Sequence, residues 1–352
     1  MQNLDANRSL KLVAIGGGTG LSTLLAGLKR FVGESVEGER LEALSAIVTV
    51  TDDGGSSGRL REELQMLPPG DIRNCMIALS EDSTLLSRLF RYRFRGSGDL
   101  SGHSFGNLFL AALTEVTGDF VEAVRLSSEV LASKGHIFPA TIDDVRLVAE
   151  LEDGREVHGE TQITAERAPI KRLRLEPEQC RPLPETLTAI RAADIITVGP
   201  GSLYTSIVPN LLVDRVAEAI GEARAKKIFI ANMMTQPGET DGYDLRRHLD
   251  TVTKYAPQIR FDHALVNSRA ISRKQAELYR ADGAYQIGLE DEPAVNGGVE
   301  IIRTDLLDAG EMVRHDSERL ARAVIACGRK ASLQIPAGVE AWVTEQKQEK
   351  TQ

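Results

Sequence analysis

Cysteine and aromatic residues are scarce in this sequence. Its 352 residues include 3 cysteines, and aromatic side chains make up 5% of the chain. The cysteines lie far apart and form no C-x-x-C pair, which excludes a disulfide framework and a cysteine-ligated metal site. We therefore expect Cys75, Cys180 and Cys327 to be reduced and buried.

Long hydrophobic runs are also missing. The apolar stretches at 12–15, 195–198 and 228–231 fall far below the roughly 20 residues that a membrane-spanning helix needs. The first ten residues carry Asp5 and lack the apolar centre of a secretory signal. We expect no membrane span and a cytoplasmic location.

Positive charge is in the minority, because 42 Lys and Arg stand against 51 Asp and Glu, for a net charge of −9. Nucleic-acid backbones require a concentrated basic surface, so nucleic acid is not expected as a partner. The net charge does not exclude a small anionic ligand, since such a ligand needs only a local positive pocket. The 42% of hydrophobic residues supply a sizeable core for one large domain or two smaller ones.

The recurring unit is a short β-branched strand, a glycine-rich turn and an amphipathic helix, which is typical of parallel α/β folds. The pattern predicts helices at 69–79, 84–92 and 105–117, and strands at 11–15, 46–50, 194–198, 227–231, 263–266 and 299–302. We expect a doubly wound, mostly parallel sheet of about six or more strands.

The predicted domain organisation is a single α/β domain over residues 10–331. A flexible N-terminus at 1–9 precedes it, and a charged, solvated tail at 332–352 follows it. Apolar and polar residues alternate around Asp153-Gly154, a pair that favours a tight hairpin turn. We therefore expect a β-hairpin insertion near 143–175.

The first candidate site follows the first strand. Glycines at a helix N-terminus let a phosphate approach unpaired N–H groups. The predicted phosphate-binding residues are Gly16, Gly17, Gly18, Thr19 and Gly20. A tight turn is the alternative. Leu21 replaces the third glycine of G-x-G-x-x-G, and no Gly-Lys-Ser/Thr follows, so an NAD-dependent dehydrogenase and a Walker A site are disfavoured.

An acidic cluster follows the second predicted strand. Asp52 and Asp53 stand beside flexible glycines and could hold a divalent cation, for which we expect Mg²⁺. Two adjacent acids near a diphosphate would repel it unless a cation intervenes. Arg59, a few residues on, is expected to pair with phosphate. A solvent-exposed acidic loop is the alternative.

Two further polar segments precede apolar helices. Asp71 is expected to cap the helix at 69–79, while Arg73 and Asn74 lie in its first turn, where a cation is unfavourable unless an anion is bound. His103 and Asn107 begin the helix at 105–117. His103 could act as a base or phosphate donor, or serve only as a helix-entry residue.

Later segments repeat the arrangement of a strand followed by a polar loop. Gly199, Gly201 and Ser202 form a second anion-binding loop, and Thr235 lies in a loop suited to a sugar or base. Two such loops suit a ligand with two halves. Arg314 could bind a phosphate or be only a surface charge, and Tyr279 could stack on a ring of the ligand or be only a packing residue.

Six segments together resemble the YvcK/CofD-like family, and most closely its bacterial gluconeogenesis factor branch. These segments are 14–20, 49–60, 68–74, 102–107, 198–205 and 233–238. The resemblance covers about residues 10–330. It implies a Rossmann-like fold and a cytoplasmic factor that binds UDP-sugars, notably UDP-N-acetylglucosamine. It further implies support of cell shape and envelope synthesis during gluconeogenic growth, with protein partners in that process.

The same resemblance assigns roles to individual residues. It places the diphosphate at the first glycine loop, the nucleotide at Gly199–Ser202, and the UDP-sugar against Tyr279 and Arg314. The related 2-phospho-L-lactate transferases transfer a phospholactyl group from a nucleotide diphosphate donor with a divalent metal, and Asp52 and Asp53 match their acidic pair. A UDP-sugar-binding regulator and a metal-dependent transferase therefore both remain open. A homodimer is expected from the protein class.

Overall fold

A computed structural model describes residues 9–36, 38–81, 85–288 and 298–329 of the chain. The predicted flexible N-terminus, apart from residue 9, and the predicted tail at 332–352 lie outside the described residues. Within these ranges Cys75, Cys180 and Cys327 are buried and form no disulfide with one another, as predicted. None of the helices in this part of the chain is long and apolar enough to cross a membrane.

The central element is a parallel sheet with the strand order β10-β9-β8-β7-β1-β2-β3, seven strands within the described residues. This confirms the predicted doubly wound, mostly parallel sheet. The strands are β1 Leu10–Gly16, β2 Leu41–Val48, β3 His136–Pro139, β7 Ile195–Val198, β8 Lys226–Ile230, β9 His263–Asn267 and β10 Glu300–Thr304. Central strands such as β7 are buried along their whole length, as expected for a sheet covered on both faces.

The chain reverses its direction of travel across the sheet between β1 and β7. From β1 it proceeds to β2 and β3, whereas from β7 it proceeds the other way to β8, β9 and β10. The loops after β1 and β7 therefore diverge to opposite sides and leave a crevice at the carboxyl ends of the strands. Such a crevice is the usual ligand site of open α/β sheets.

Helices connect the strands and pack on both faces of the sheet. In the first half these are α1 Gly18–Leu28, α2 Gly55–Leu64, α3 Gly70–Leu79, α4 Leu85–Arg91, α5 Phe105–Thr117 and α6 Phe120–Val130. The later ones are α7 Glu160–Glu166, α8 Pro184–Ala192, α9 Val208–Leu212, α10 Val216–Glu222, α11 Leu245–Tyr255, α12 Arg273–Ala281 and α13 Ser317–Arg329. The predicted helices at 69–79, 84–92 and 105–117 correspond to α3, α4 and α5.

The insertion is larger than the predicted hairpin. Strands β4 Arg146–Leu151 and β5 Glu156–His158 are antiparallel around the expected turn, and β6 Ile170–Glu176 pairs on the other side of β4. Helix α7 lies between β5 and β6 in the chain. The insertion is thus a three-stranded antiparallel sheet with its own short helix.

Two strands differ from the sequence prediction. β2 begins at Leu41 and ends at Val48, earlier than the predicted 46–50, because Thr49 and Val50 already belong to the loop at the carboxyl edge. β3 was not predicted. It is only 4 residues long and ends in proline, so its sequence resembles that of a turn. It lies at the edge of the sheet and pairs with β2 alone.

Candidate functional site

The glycine loop after β1 begins α1 and lies beside the crevice. Gly17 is the N-cap of α1, and Gly18 adopts a φ of +61°, which favours glycine. The Asn210 side chain donates a hydrogen bond to the Gly16 carbonyl at 3.1 Å and fixes the end of β1. The loop thus presents a helix N-terminus to the crevice, as predicted.

The second glycine loop follows β7 and touches the first. A Cβ on Gly20 would lie 2.4 Å from the Pro200 carbonyl oxygen, so only glycine permits this approach. Leu21 stands where a Rossmann fingerprint has its third glycine, and its side chain is completely buried in the core. The side chain at position 21 therefore packs in the hydrophobic core.

A cavity of about 500 Å³ lies between the two loops and the later part of the chain; we call it the main cavity. Nine residues predicted from the sequence line it together, although they come from five separate segments. They are Gly17, Gly18, Thr19, Gly20, Gly201, Ser202, Thr235, Tyr279 and Arg314. The tertiary structure therefore brings the predicted phosphate loops and the predicted late-chain residues to one place.

The loop after β8 holds the second glycine loop in position, a role that the sequence analysis missed. The Asn232 side chain accepts a hydrogen bond from the Gly201 N–H at 3.1 Å and donates one to the Gly201 carbonyl at 2.7 Å. Gln236 donates to the Ser202 hydroxyl at 2.6 Å. The only sequence signal for these roles is that a polar loop follows a buried strand.

Tyr279, Thr235 and Arg314 contribute differently to the cavity wall. The Tyr279 hydroxyl accepts a hydrogen bond from the Val313 N–H at 3.1 Å, which ties α12 to the segment carrying Arg314. The Thr235 hydroxyl accepts the Tyr285 N–H at 2.9 Å and is thereby engaged in the wall. The Arg314 guanidinium is exposed and has no ion-pair or hydrogen-bond partner among the described residues. It is therefore available to an anion.

Asp71 does not cap its own helix, contrary to the sequence prediction. The N-cap of α3 is Pro69, without a side-chain cap. The Asp71 carboxylate instead accepts a hydrogen bond from the Gly18 N–H at 2.8 Å, at the N-terminus of α1. Burial raises its pKa to about 6, with a further increase from neighbouring Asp52. A phosphate at this helix end would thus lie beside a carboxylate.

Arg73, Asn74, His103 and Asn107 form a polar network behind Asp71, outside the wall of the main cavity. Arg73 donates to Asn74, Ser104 and Asn107 over 2.6–3.0 Å. Asn107 in turn donates to the Ser56 hydroxyl at 3.1 Å, which is 2.9 Å from His103 Nδ1. These four predicted residues come together, and the Asn74 side chain forms a hydrogen bond with Asp71.

Asp52 and Asp53 diverge, although they are adjacent in sequence. Asp53 accepts hydrogen bonds from the N–H and the hydroxyl of Thr161 at 2.9 and 2.7 Å, and thereby anchors α7. Asp52 lies against the start of α3, where a Cβ on Gly70 would be 2.7 Å from its Oδ2. The carboxylate that neighbours Asp52 at the site is therefore Asp71.

The remaining predicted residues lie at the margin of the site. Arg59 donates to the carbonyl of Ser101 at 2.7 Å and so holds the loop before α5. Gly199, which follows β7 directly, has a φ of +88°, and its N–H donates to the Ile15 carbonyl of β1. Neither residue lines the main cavity, and nor does Gly16.

Two further carboxyl groups lie close together at this edge of the sheet, Glu160 at the start of α7 in the insertion and Glu239 in the loop after β8. Burial raises the pKa of Glu160 well above its usual range, and repulsion from Asp52 and Asp71 adds to the increase. Burial likewise raises the pKa of Glu239 to about 7. Glu239 Oε2 is buried without a hydrogen-bond partner among the described residues. The sequence showed no signal for either role.

Replacement of Glu239 with glutamine is expected to stabilise the protein at alkaline pH. Between pH 4.5 and 7 the carboxyl is protonated in the folded state and ionised in the unfolded state, so the free energy of unfolding falls as pH rises through this window. Glu239→Gln should raise this free energy by about 3 kcal/mol at pH 8 and by less than about 1 kcal/mol at pH 5. Urea unfolding of wild type and variant at pH 8 and pH 5 measures the change in the free energy of unfolding. An equal increase at both pH values would contradict the prediction.

The residues of this edge fit a Mg²⁺ ion only in part. Nowhere in 9–36, 38–81, 85–288 and 298–329 are three His, Cys, Asp or Glu side chains grouped so that they could hold a metal. Mg²⁺ is commonly held by one or two carboxylates together with substrate phosphates and water. Asp52 and Asp71 satisfy that requirement beside the helix N-terminus, whereas Asp53 is engaged by Thr161.

Comparisons with known proteins find relatives that cover most of this chain. The sequence profile described as "2-phospho-L-lactate transferase CofD" matches residues 12–307. A "Gluconeogenesis factor" of Bacillus subtilis is 46% identical over 316 residues, covering 90% of this chain and 97% of that protein. One from Halalkalibacterium halodurans is 44% identical, covering 89% and 95%. A crystal structure of a Bacillus halodurans protein superimposes with a TM-score of 0.84 at 43% identity, covering 90% of this chain and 100% of that chain.

Proposed function

The chain belongs to the CofD family, and from this premise we propose that it is a gluconeogenesis factor that binds a UDP-sugar, UDP-N-acetylglucosamine, in the main cavity. The observation that carries the proposal is the convergence of two glycine loops with Tyr279 and Arg314 on that cavity. A nucleotide sugar has a charged centre between two neutral ends. The cavity offers the cationic Arg314 and a helix N-terminus among side chains that are neutral except for Asp282.

The diphosphate would lie between the N-terminus of α1 and Arg314. Unpaired N–H groups and the helix dipole favour an anion at the first position, and a guanidinium favours one at the second. The second glycine loop, held by Asn232 and Gln236, would line the nucleoside. The aromatic ring of Tyr279 would provide a flat face for the sugar ring of the ligand.

The proposed role is regulatory. A UDP-sugar that binds two conformations with different affinity shifts the population towards the state that recognises a protein partner. The names of the relatives connect this role to gluconeogenesis. Support of cell shape and envelope synthesis, a cytoplasmic location, protein partners in envelope synthesis and a homodimer are further parts of the proposal.

A metal-dependent phospholactyl transferase is the second candidate, favoured by the matching family profile and by the carboxyl groups at this edge. In that function Asp52 and Asp71 would hold Mg²⁺, which neutralises the diphosphate when bound. The acceptor hydroxyl would attack the phosphorus of the phospholactyl group, the phosphoanhydride bond to the nucleotide would break, and the nucleoside monophosphate would leave while the hydroxyl proton passes to solvent. The protein residues would keep donor and acceptor aligned. The five carboxyl groups at this edge, Asp52, Asp53, Asp71, Glu160 and Glu239, exceed what a neutral sugar requires.

Isothermal titration calorimetry tests the two candidates directly. The purified chain is titrated with UDP-N-acetylglucosamine, UDP-glucose, GDP and NAD, each with and without Mg²⁺. Micromolar affinity for UDP-N-acetylglucosamine without turnover is expected. Binding of GDP without any response to UDP-sugars would favour the transferase, and binding of NAD alone would exclude both candidates.

Asp52→Asn is expected to remove most of the effect of Mg²⁺ on nucleotide-sugar affinity. Of the two carboxylates that could bind the ion, Asp52 and Asp71, the variant leaves only Asp71. Asp53→Asn is the matched control, because the Asp53 carboxylate is already engaged by Thr161. Calorimetric affinities with and without Mg²⁺ are compared for wild type and both variants. An unchanged Mg²⁺ effect in Asp52→Asn would contradict the prediction.

A further inference from the structure

Asp282 is the C-cap residue of α12 and lines the main cavity together with Tyr279 of the same helix. Its backbone N–H donates a hydrogen bond to the Tyr279 carbonyl at 3.1 Å. A little further on, the Tyr285 carbonyl accepts the Thr235 N–H at 2.8 Å, which joins this segment to the loop after β8. Backbone hydrogen bonds on both sides therefore hold Asp282 in the cavity wall.

Asp282 and Arg314 bring opposite charges to the main cavity and do not neutralise each other. Among the described residues the Asp282 carboxylate has no hydrogen-bond or ion-pair partner, and it forms no ion pair with Arg314. Asp282 is also exposed, so its carboxylate is accessible to a bound molecule. The cavity thus offers one cationic and one anionic group, each open to a ligand.

The carboxylate limits what can bind beside it. Like charges repel, so a phosphate is unfavourable next to Asp282 and is favoured at Arg314 and the N-terminus of α1. An ionised carboxylate only accepts hydrogen bonds, and its two oxygens suit two neighbouring donors. Asp282 therefore requires an uncharged part of the ligand that carries hydrogen-bond donors.

Vicinal hydroxyl groups are the paired neutral donors of a nucleotide sugar. The ribose and the terminal sugar of UDP-N-acetylglucosamine each carry one such pair. Uracil offers a single N–H between two carbonyl oxygens, which a carboxylate would repel. An acidic residue that binds ribose hydroxyls is common in dinucleotide-binding folds, so this pairing is chemically well suited to the cavity.

We propose that Asp282 is a specificity-determining residue whose carboxylate accepts hydrogen bonds from a vicinal hydroxyl pair of the ligand in the main cavity. The inference rests on the proposed function, because it concerns the ligand of the same cavity. Arg314 selects the charge of the diphosphate, and Asp282 selects the hydroxyl pair. A ligand with a phosphate in place of these hydroxyls is rejected.

Asp282→Asn separates hydroxyl recognition from a simple surface charge, because the two roles predict different changes in affinity. The amide has nearly the shape of the carboxylate, but it has one acceptor oxygen and no charge. We expect calorimetry to show that the variant binds UDP-N-acetylglucosamine about tenfold more weakly than wild type. Removal of a carboxylate that only repels the diphosphate would leave the affinity unchanged or raise it.

Glu277→Gln is the matched control for Asp282→Asn. Glu277 also lies on α12, is exposed, pairs with Arg273 and does not line the main cavity. Its replacement changes the net charge by the same amount. We expect the control to bind UDP-N-acetylglucosamine within about twofold of wild type, and thermal unfolding verifies that both variants are folded.

Ligand analogues identify which hydroxyl pair is bound. One analogue of UDP-N-acetylglucosamine contains deoxyribose, and the other lacks a hydroxyl of the vicinal pair on the terminal sugar. One of them should bind wild type about tenfold more weakly than the parent ligand does and bind Asp282→Asn as well as the parent does.

Two results overturn the inference while UDP-sugar binding by the wild type is intact. One is that wild type binds both analogues as tightly as the parent ligand. The other is that Asp282→Asn binds the parent at least as tightly as wild type does. Absence of any UDP-sugar binding to the wild type overturns the proposed function itself, and the inference falls with it.

Discussion

Gly20→Ala is expected to abolish nucleotide-sugar binding, with a loss of at least 100-fold in affinity. The new Cβ would lie 2.4 Å from the Pro200 carbonyl oxygen and 2.7 Å from its carbon, and backbone atoms cannot rotate away as a side chain can. The two glycine loops must separate, which widens the part of the cavity assigned to the diphosphate. Overpacking of this kind also costs about 1–3 kcal/mol of stability, although alanine is otherwise the better helix former.

Calorimetry with UDP-N-acetylglucosamine and urea unfolding measure the two effects of Gly20→Ala. Gly98→Ala is the matched control, because Gly98 is exposed and a Cβ there would meet no heavy atom within 4 Å. The control should bind and unfold as the wild type does. Wild-type affinity in Gly20→Ala would show that contact between the loops is not required for the site.

Arg314→Ala is expected to weaken UDP-N-acetylglucosamine binding by about 10- to 100-fold, since a hydrogen bond to a charged group contributes about 1.5–3 kcal/mol. The guanidinium lines the main cavity and has no partner among the described residues, so its loss leaves no other protein group unpaired. Uridine lacks the phosphates and should bind wild type and variant equally. Calorimetry with both ligands isolates the phosphate contribution.

The control for Arg314→Ala is Arg280→Ala. Arg280 is exposed in the last turn of α12 and does not line the main cavity, but its removal changes the net charge by the same amount. We expect its affinity to remain within about twofold of wild type. An equal loss in both variants would indicate long-range attraction of the anion. In that case Arg314 would have no direct contact with phosphate.

Most of the fold was predictable because local signals agree with it. Apolar β-branched runs identified β1, β7, β8 and β9, and glycines identified the loops after two of these strands. The Asp153-Gly154 pair located the hairpin turn correctly. β3 escaped prediction because 4 residues bordered by glycine and proline carry too little periodicity, and only pairing with β2 makes them a strand.

The candidate site was predictable in its components but less so in its arrangement. Residue types identified Arg314 and Tyr279, and the main cavity places both beside the glycine loops. The capping role of Asp71 was wrong because α3 begins at Gly70, with Pro69 as its N-cap, so Asp71 lies inside the helix. Its carboxylate instead accepts a hydrogen bond from the Gly18 N–H, 53 positions away in the chain. Asp52 and Asp53 were treated as a pair, yet Thr161 from the insertion engages Asp53 alone.

The sequence by itself determined the strands, the glycine loops and the polar segments that follow the strands, because backbone preference and hydrophobic periodicity act over a few residues. Only the tertiary structure decided which of these polar groups share a cavity and which carboxyl groups become buried together. Burial and pairing depend on contacts between segments far apart in the chain. No local pattern encodes the loss of water that raises the pKa of Glu239.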